Sequence, residues 1–162
     1  MATSSVRVLV VDDYEPWRRH IRSVLKTQPE IQVIAEVPDG LEAVQRTQEL
    51  RPDLILLDIG LPSLNGIEAA RRILKLSHQS KILFISQETS ADIVLGALAT
   101  GAAGYVAKTD VRGELLTALE AVLRGEKYVS TRLADCVFPK LSVASQDASI
   151  GTAATARSTL GS

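Results

Sequence analysis

The sequence predicts an α/β protein, built on a doubly wound, five-stranded parallel sheet with helices on both faces. Five short apolar segments alternate with five segments whose apolar residues recur at helical spacing. Three of the apolar segments are nearly continuous runs of Val, Ile and Leu, as expected of parallel strands that are buried on both faces. Leu, Ile, Val and Phe make up 49 of the 162 residues, which is enough for one sizeable core.

The strands are predicted where the apolar segments fall, and the first, third and fourth are the nearly continuous runs. They are Val6–Val11, Ile31–Glu36, Asp53–Asp58, Lys81–Ser86 and Gly104–Ala107. Each pair of consecutive strands is joined through a helical segment, and such crossovers between parallel strands are right-handed. The helices are therefore expected to cover both faces of the sheet.

The helices are predicted from apolar spacing and from residues that favour helix ends. Pro16 suits the first turn of the first helix, Ser90 suits the N-cap of the fourth, and Gly101 follows the end of the fourth. The second helix follows Asp39-Gly40 and runs to about Leu50. Apolar positions mark the others: Trp17, Ile21, Val24 and Leu25 in the first, Ile67, Ala70, Ile73 and Leu74 in the third, and Val111, Leu115, Ala118, Leu119 and Val122 in the fifth.

Composition excludes several classes of protein. No uncharged apolar run approaches the roughly 18 residues that a membrane span needs, and the N-terminus lacks a signal-peptide core. One cysteine, Cys136, cannot form an intrachain disulfide. We therefore expect a cytoplasmic protein without a membrane partner. The net charge of −1 offers no global attraction to nucleic acid.

The domain organisation follows from a change of composition near Leu141. Fifteen of the 21 residues from 142 to 162 are Ser, Thr, Ala or Gly, too little apolar surface to offset the entropy of ordering them. We expect residues 142–162 to form a flexible tail, and a poorly packed terminal helix is the alternative. Residues 1–5 are predicted to be an N-terminal extension, 6–125 the folded domain, and 126–141 a linker or short helix.

Chemically active side chains follow the predicted strands at one end of the sheet. Asp12 and Asp13 follow the first strand, Asp58 ends the third, Ser86 ends the fourth and Lys108 follows the fifth. Ligands of open α/β sheets bind at this carboxyl end. Three carboxylates brought together repel one another, and nothing structural requires them there. Since hard divalent cations bind carboxylate oxygens, the pattern predicts a magnesium site.

Four motifs in this order resemble the receiver domain of two-component response regulators, over roughly Val6 to Gly125. VLVVDD carries Asp12 and Asp13, and LILLDIGLPSLNG carries Asp58, Pro62 and Gly66. ILFIS carries Ser86, and GYVAK carries Tyr105 and Lys108. The resemblance implies a flavodoxin-like fold with strand order 2-1-3-4-5. The block GEKYVS at residues 125–130 is similar to the linker of LuxR/FixJ-type regulators, which carry a C-terminal helix-turn-helix. No such domain follows in this sequence, so we expect no direct DNA binding.

The resemblance also implies a role for each site residue. Asp58 would accept a phosphoryl group from a sensor histidine kinase or a histidine phosphotransfer protein. Mg²⁺ would be held by Asp12, Asp13, Asp58 and the backbone carbonyl of Gly60. Lys108 would neutralise charge, and Ser86 would hydrogen-bond a phosphoryl oxygen. Tyr105 would swing inward as Ser86 moves. Output would pass to a downstream protein target, and a weak homodimer is compatible with this scheme.

Two alternatives stay open at this point. A pseudo-receiver would act through protein contacts without being phosphorylated. An aspartyl-nucleophile phosphatase of the haloacid dehalogenase type would also place Asp and magnesium at strand ends. That class uses an Asp-x-Asp nucleophile after the first strand, and Asp12-Asp13 lacks this spacing. We therefore expect a phosphoacceptor signalling domain, with only self-catalysed phosphotransfer and slow autodephosphorylation, rather than an enzyme.

Overall fold

The computed structural model describes residues 5–77 and 79–137. Six strands alternate with helices along the chain. The strands are β1 (Val6–Val11), β2 (Ile31–Val37), β3 (Leu54–Leu57), β4 (Lys81–Ser86), β5 (Gly104–Ala107) and β6 (Tyr128–Val129). The helices are α1 (Glu15–Leu25), α2 (Gly40–Leu50), α3 (Gly66–Leu76), α4 (Ala91–Leu98), α5 (Val111–Leu123) and α6 (Thr131–Val137), with a 3₁₀ turn at Lys108–Asp110 before α5. The tail predicted for residues 142–162 lies outside the described residues.

The strands form one parallel sheet in the order β2-β1-β3-β4-β5-β6. The predicted order of the first five strands is confirmed, but the predicted count of five is wrong because β6 extends the edge. β6 has only two residues, too few to show a periodic pattern, and it pairs with β5 through Gly104↔Tyr128 and Tyr105↔Val129. Gly104 permits this pairing, since a methyl group there would overlap the carbonyl oxygen of Tyr128.

The core consists of two layers, one on each face of the sheet. Successive strand residues point to opposite faces, so the continuous apolar runs supply both layers. In β1, for example, Leu9 and Val11 belong to one layer, while Val8 and Val10 belong to the other. The first layer includes residues of α2, α3, α4 and α6, and the second includes residues of α1 and α5. The predicted doubly wound architecture is confirmed.

The chain after α5 packs onto the sheet instead of leaving it. In the described part of residues 126–141, for which the sequence predicts a linker or short helix, the structure has β6 and α6. Leu133 and Val137 of α6 are buried in the first core layer, which also contains Val94 of α4. Among the described residues, no helix is long and apolar enough to span a membrane.

Ser130 joins this terminal segment to β5. Its side chain is fully buried, its Oγ accepts a hydrogen bond from the backbone N–H of Ala107 at 3.0 Å, and its own N–H donates to the carbonyl of Tyr105 at 2.9 Å. We expect Ser130→Ala to lower the free energy of unfolding by about 1–3 kcal/mol, because the buried Ala107 N–H loses its acceptor. Urea denaturation measures this. Ser23→Ala, which removes an exposed hydroxyl on α1, is the control and should change stability by less than about 0.5 kcal/mol. Equal stability of the two variants would contradict the assigned role.

Candidate functional site

The carboxyl ends of four strands meet at one cleft, as the sequence predicts. Asp12 and Asp13 follow β1, Asp58 follows β3, Ser86 ends β4 and Lys108 follows β5. The cleft is open to solvent and has a volume of about 440 Å³. It is lined by Asp12, Asp13, Tyr14, Asp58, Gly60, Ser86, Gln87, Glu88 and Lys108. Six of the seven predicted site residues therefore lie on one surface, and the seventh, Tyr105, lies behind it in the core.

The three aspartates form a compact group of oxygen ligands. One carboxylate oxygen from each of Asp12, Asp13 and Asp58 lies within 4.8 Å of the others. Asp12 and Asp58 are only 2% and 9% exposed, whereas Asp13 is exposed. Backbone donors orient the two buried carboxylates: the N–H of Tyr14 lies 2.9 Å from Asp12 Oδ1, and the N–H of Ile59 lies 2.8 Å from Asp58 Oδ1.

Lys108 brings a positive charge into the acidic group. Its Nζ lies 2.7 Å from Asp12 Oδ2 and 3.4 Å from Asp58 Oδ2, and it donates a hydrogen bond to the latter. The contact with Asp12 is an ion pair without the angle of a hydrogen bond. Asp12 Oδ2 therefore has no hydrogen-bond partner among the described residues, although it is buried.

The electrostatics of Asp58 reflect this crowding. Burial raises the pKa of the Asp58 carboxyl above its ordinary value, the positive charge of Lys108 opposes that rise, and the negative charge of Asp12 adds to it. Ionisation of Asp58, which a nucleophile requires, therefore costs free energy, and a further positive charge in the cleft would reduce that cost.

The residues present fit a divalent cation of the magnesium type. Mg²⁺ prefers oxygen ligands and keeps several waters, which suits one carboxylate oxygen from each aspartate in an open cleft. The buried Asp12 Oδ2 makes no hydrogen bond among the described residues and has only the Lys108 ammonium as an ion-pair neighbour, so it is suited to serve as a ligand atom. Three carboxylates and one ammonium also leave two net negative charges, which one divalent cation balances.

Ser86 and Tyr105 meet at the loop after β4. Ser86 Oγ accepts a hydrogen bond from the N–H of Glu88 at 3.1 Å, and the Tyr105 hydroxyl donates to the carbonyl oxygen of Glu88 at 2.7 Å. Burial raises the pKa of the Tyr105 hydroxyl to about 12, and hydrogen bonding with Ser86 opposes that rise. The Tyr105 ring is already fully buried, with its centroid 6.0 Å from that of Phe84. The Tyr105 ring therefore lies inward without a phosphoryl group in the cleft, and the expected swing of this side chain stays a prediction.

Two residues at the site, Glu88 and Trp17, make contacts that were not predicted from the sequence. The main chain of Glu88 links Tyr105 to Ser86, because its carbonyl accepts from Tyr105 and its N–H donates to Ser86, and no side-chain pattern predicts such backbone contacts. Trp17 was predicted only as part of the apolar face of the first helix, yet the ring centroid lies 4.9 Å from Lys108 Nζ. The position of Trp17 in the first turn after the acidic pair was the available signal, because that turn must lie at the carboxyl edge of the sheet.

Comparison with known protein families gives a match over most of the described chain. Residues 8–120 match the family model described as response regulator receiver domain. The matched region contains most of β1, all of β2 to β5 and every residue that lines the cleft.

Individual relatives and solved structures agree with this match. The chain is 35% identical to the transcriptional regulatory protein LiaR of Bacillus subtilis and 37% identical to the DNA-binding transcriptional activator DevR/DosR of Mycobacterium tuberculosis, over 84% of its own length in both cases. It spans 64% of LiaR and 63% of DevR/DosR, just under two thirds of each. A crystal structure of a LuxR-family two-component response regulator from Aurantimonas sp. SI85-9A1 superposes with a TM-score of 0.81 at 32% identity, covering 86% of this chain and 99% of that one.

Proposed function

The chain belongs to the response regulator receiver domain family, and from that premise we propose that Asp58 accepts a phosphoryl group in a Mg²⁺-dependent reaction that alters a protein-contact surface. The observation that carries the proposal is the placement of Asp58. Its carboxylate lies in the cleft at the end of β3, is hydrogen-bonded to Lys108 and is grouped with two further carboxylates.

The proposed chemistry is a transfer between a histidine and an aspartate. A carboxylate oxygen of Asp58 forms a bond to phosphorus as the bond between phosphorus and the donor's imidazole nitrogen breaks. The electron pair of the broken bond stays with the imidazole. Phosphoryl transfer depends mainly on positioning and charge stabilisation, and Lys108 supplies an ammonium 3.4 Å from Asp58 Oδ2. The hydroxyl of Ser86 faces the same cleft and is available to donate to a phosphoryl oxygen.

The metal site in this proposal consists of Asp12, Asp13 and Asp58, together with the backbone carbonyl of Gly60. When bound, Mg²⁺ supplies neutralisation of the negative charge on the phosphoryl oxygens. Gly60 lies on the cleft wall, and a methyl group there would meet no atom within 4 Å. The role proposed for Gly60 as a metal ligand therefore depends on its main-chain carbonyl oxygen, and not on close packing that would exclude a side chain.

The partners that we propose are a sensor histidine kinase or histidine phosphotransfer protein as donor and a protein as downstream target. In this scheme the domain is a signalling phosphoacceptor rather than an enzyme with turnover. The absence of direct DNA binding stays a prediction, supported by the balance of charge in residues 1–141, which contain 17 basic and 18 acidic side chains.

Incubation with acetyl phosphate tests the proposed function. With Mg²⁺ we expect the intact mass to rise by one phosphoryl group, and with excess EDTA we expect no labelling. No labelling in either condition would favour the pseudo-receiver. Sustained hydrolysis of p-nitrophenyl phosphate would favour the aspartyl-nucleophile phosphatase. Either of these results would overturn the proposal.

We propose that Ser86 couples phosphorylation to Tyr105. A hydrogen bond donated by Ser86 to a charged phosphoryl oxygen contributes roughly 1.5–3 kcal/mol and draws the hydroxyl, which accepts from the N–H of Glu88, towards the phosphoryl group. The carbonyl oxygen of Glu88 also accepts a hydrogen bond from the hydroxyl of Tyr105, so a shift of Ser86 disturbs both contacts of Glu88.

We expect Ser86→Ala to remain labelled at Asp58, though more slowly, and to lose most of the phosphorylation-dependent NMR shift changes around Tyr105 and α4. Ser23→Ala serves as the control, with unchanged labelling and unchanged shift changes. Full shift changes in Ser86→Ala would show that the coupling runs through another group.

A further inference from the structure

Lys108 has a third neighbour besides Asp12 and Asp58. Its Nζ lies 4.9 Å from the ring centroid of Trp17, within the range in which an ammonium is attracted to the face of an indole. From this contact we propose that Trp17 is a positioning residue for phosphoryl transfer, because its ring fixes the Lys108 ammonium beside Asp58. The inference rests on the proposed function, in which Lys108 neutralises charge on the phosphoryl group.

The two carboxylates do not fix the ammonium by themselves. A lysine side chain is a flexible stem with a point charge, and it can follow either of two acidic neighbours. Nζ is closer to Asp12 Oδ2, at 2.7 Å, than to Asp58 Oδ2, at 3.4 Å, yet the hydrogen bond goes to Asp58. The indole face limits the ammonium on a third side, and without it Lys108 is free to give up the longer contact with Asp58 while keeping the shorter one with Asp12.

The Trp17 ring is itself held by the fold and not by Lys108. Trp17 lies in the first turn of α1, is half-buried and packs against the second core layer, which includes Ile21. Its ring centroid also lies 5.2 Å from that of His20 on the next turn. A ring anchored by packing can orient a flexible side chain at little further entropic cost, which is what a positioning residue requires.

The proposal predicts a graded effect of substitution. Trp17→Leu removes the aromatic face while keeping an apolar side chain, and we expect labelling by acetyl phosphate at fixed Mg²⁺ to slow roughly three- to tenfold. Trp17→Phe retains an aromatic face, so it should recover much of the lost rate. Val24→Ala is the matched control: Val24 lies on α1 and packs against the same core layer, and it is not a cleft residue. Its labelling rate per folded molecule should equal that of the wild type.

A spectroscopic measurement detects the contact without phosphorylation. Protons over the face of an indole are shifted upfield, so the ε-methylene signal of Lys108, assigned by its loss in Lys108→Met, should lie upfield in the wild type. It should stay partly upfield in Trp17→Phe and reach the position of an ordinary lysine in Trp17→Leu. Circular dichroism establishes that each variant is folded, which is needed because Trp17 is the only tryptophan of the chain.

The two readouts separate the failure of this inference from failure of the proposed function. An unlabelled wild type would overturn the proposed function and the positioning role with it. Normal labelling of the wild type, with an unshifted Lys108 signal or with Trp17→Leu as fast as the wild type, would overturn the positioning role alone. Equal slowing in Trp17→Phe and Trp17→Leu would also overturn it, since the volume of the side chain and not its aromatic face would then matter.

Discussion

Replacing Asp58 with asparagine should abolish phosphoryl labelling, the largest effect that we expect of any substitution. Asparagine keeps the shape of the side chain, but its amide cannot act as the nucleophile. The fold should tolerate the change, because burial and the charge of Asp12 both raise the pKa of the Asp58 carboxyl, which means that they disfavour its charged form. Intact-mass measurement after incubation with acetyl phosphate and Mg²⁺ gives the result, with the free energy of unfolding measured in parallel.

Asp53→Asn is the matched control for this experiment. Asp53 directly precedes β3, at the end of the strand opposite to Asp58, and its carboxylate accepts a hydrogen bond from the N–H of Arg7. We expect this variant to be labelled at the wild-type rate. Labelling of Asp58→Asn at the wild-type rate would show that another residue is the phosphoacceptor.

Replacing Gly66 with alanine should damage both stability and labelling. Gly66 begins α3 and donates its N–H to the carbonyl of Ile59 at 2.7 Å. A methyl group there would overlap the carbonyl oxygen of Asp58 and lie 2.8 Å from Cα of Ile59, so the backbone that carries the phosphoacceptor must shift. We expect the free energy of unfolding to fall by about 3 kcal/mol and the labelling rate per folded molecule to fall at least roughly tenfold.

Gly113→Ala tests whether the effect is specific to the position. Gly113 lies within α5, and a methyl group there would meet no atom within 4 Å. Because alanine favours the helix over glycine, we expect this variant to be as stable as the wild type or more stable by about 0.5–1 kcal/mol, with unchanged labelling. Urea denaturation and intact mass measure both variants. A Gly66→Ala protein as stable and as readily labelled as Gly113→Ala would refute the close packing of α3 against Asp58.

The sequence was informative about the fold wherever one physical signal was strong. The apolar runs of β1, β3 and β4 predicted buried parallel strands, because only a strand covered on both faces needs consecutive apolar residues. β6 carries no such signal, since its two residues are placed by pairing with Gly104 and by the bonds of Ser130 to β5. Those contacts are tertiary, and a local pattern does not contain them.

The same distinction between what the sequence pattern indicates and what only tertiary contacts decide applies to the candidate site. The topology of a parallel sheet requires the side chains at strand ends to meet, so the meeting of Asp12, Asp58 and Lys108 followed from their order along the chain. The contact of Trp17 with Lys108 depends on the direction of two side chains. The link from Tyr105 to Glu88 depends on the path of a loop backbone. Spacing places Trp17 at the carboxyl edge of the sheet, but neither the direction of its ring nor the Glu88 carbonyl is indicated by residue type or spacing.

The most direct test of the central claim locates the phosphoryl group in the wild-type chain. Borohydride reduction of the acetyl-phosphate-treated protein converts an aspartyl phosphate to homoserine, and tandem mass spectrometry of the digested chain identifies the converted residue. We predict homoserine at position 58, only after treatment in the presence of Mg²⁺. Conversion at Asp12, at Asp13 or elsewhere, or a labelled protein in which Asp58 is unconverted, would contradict the account.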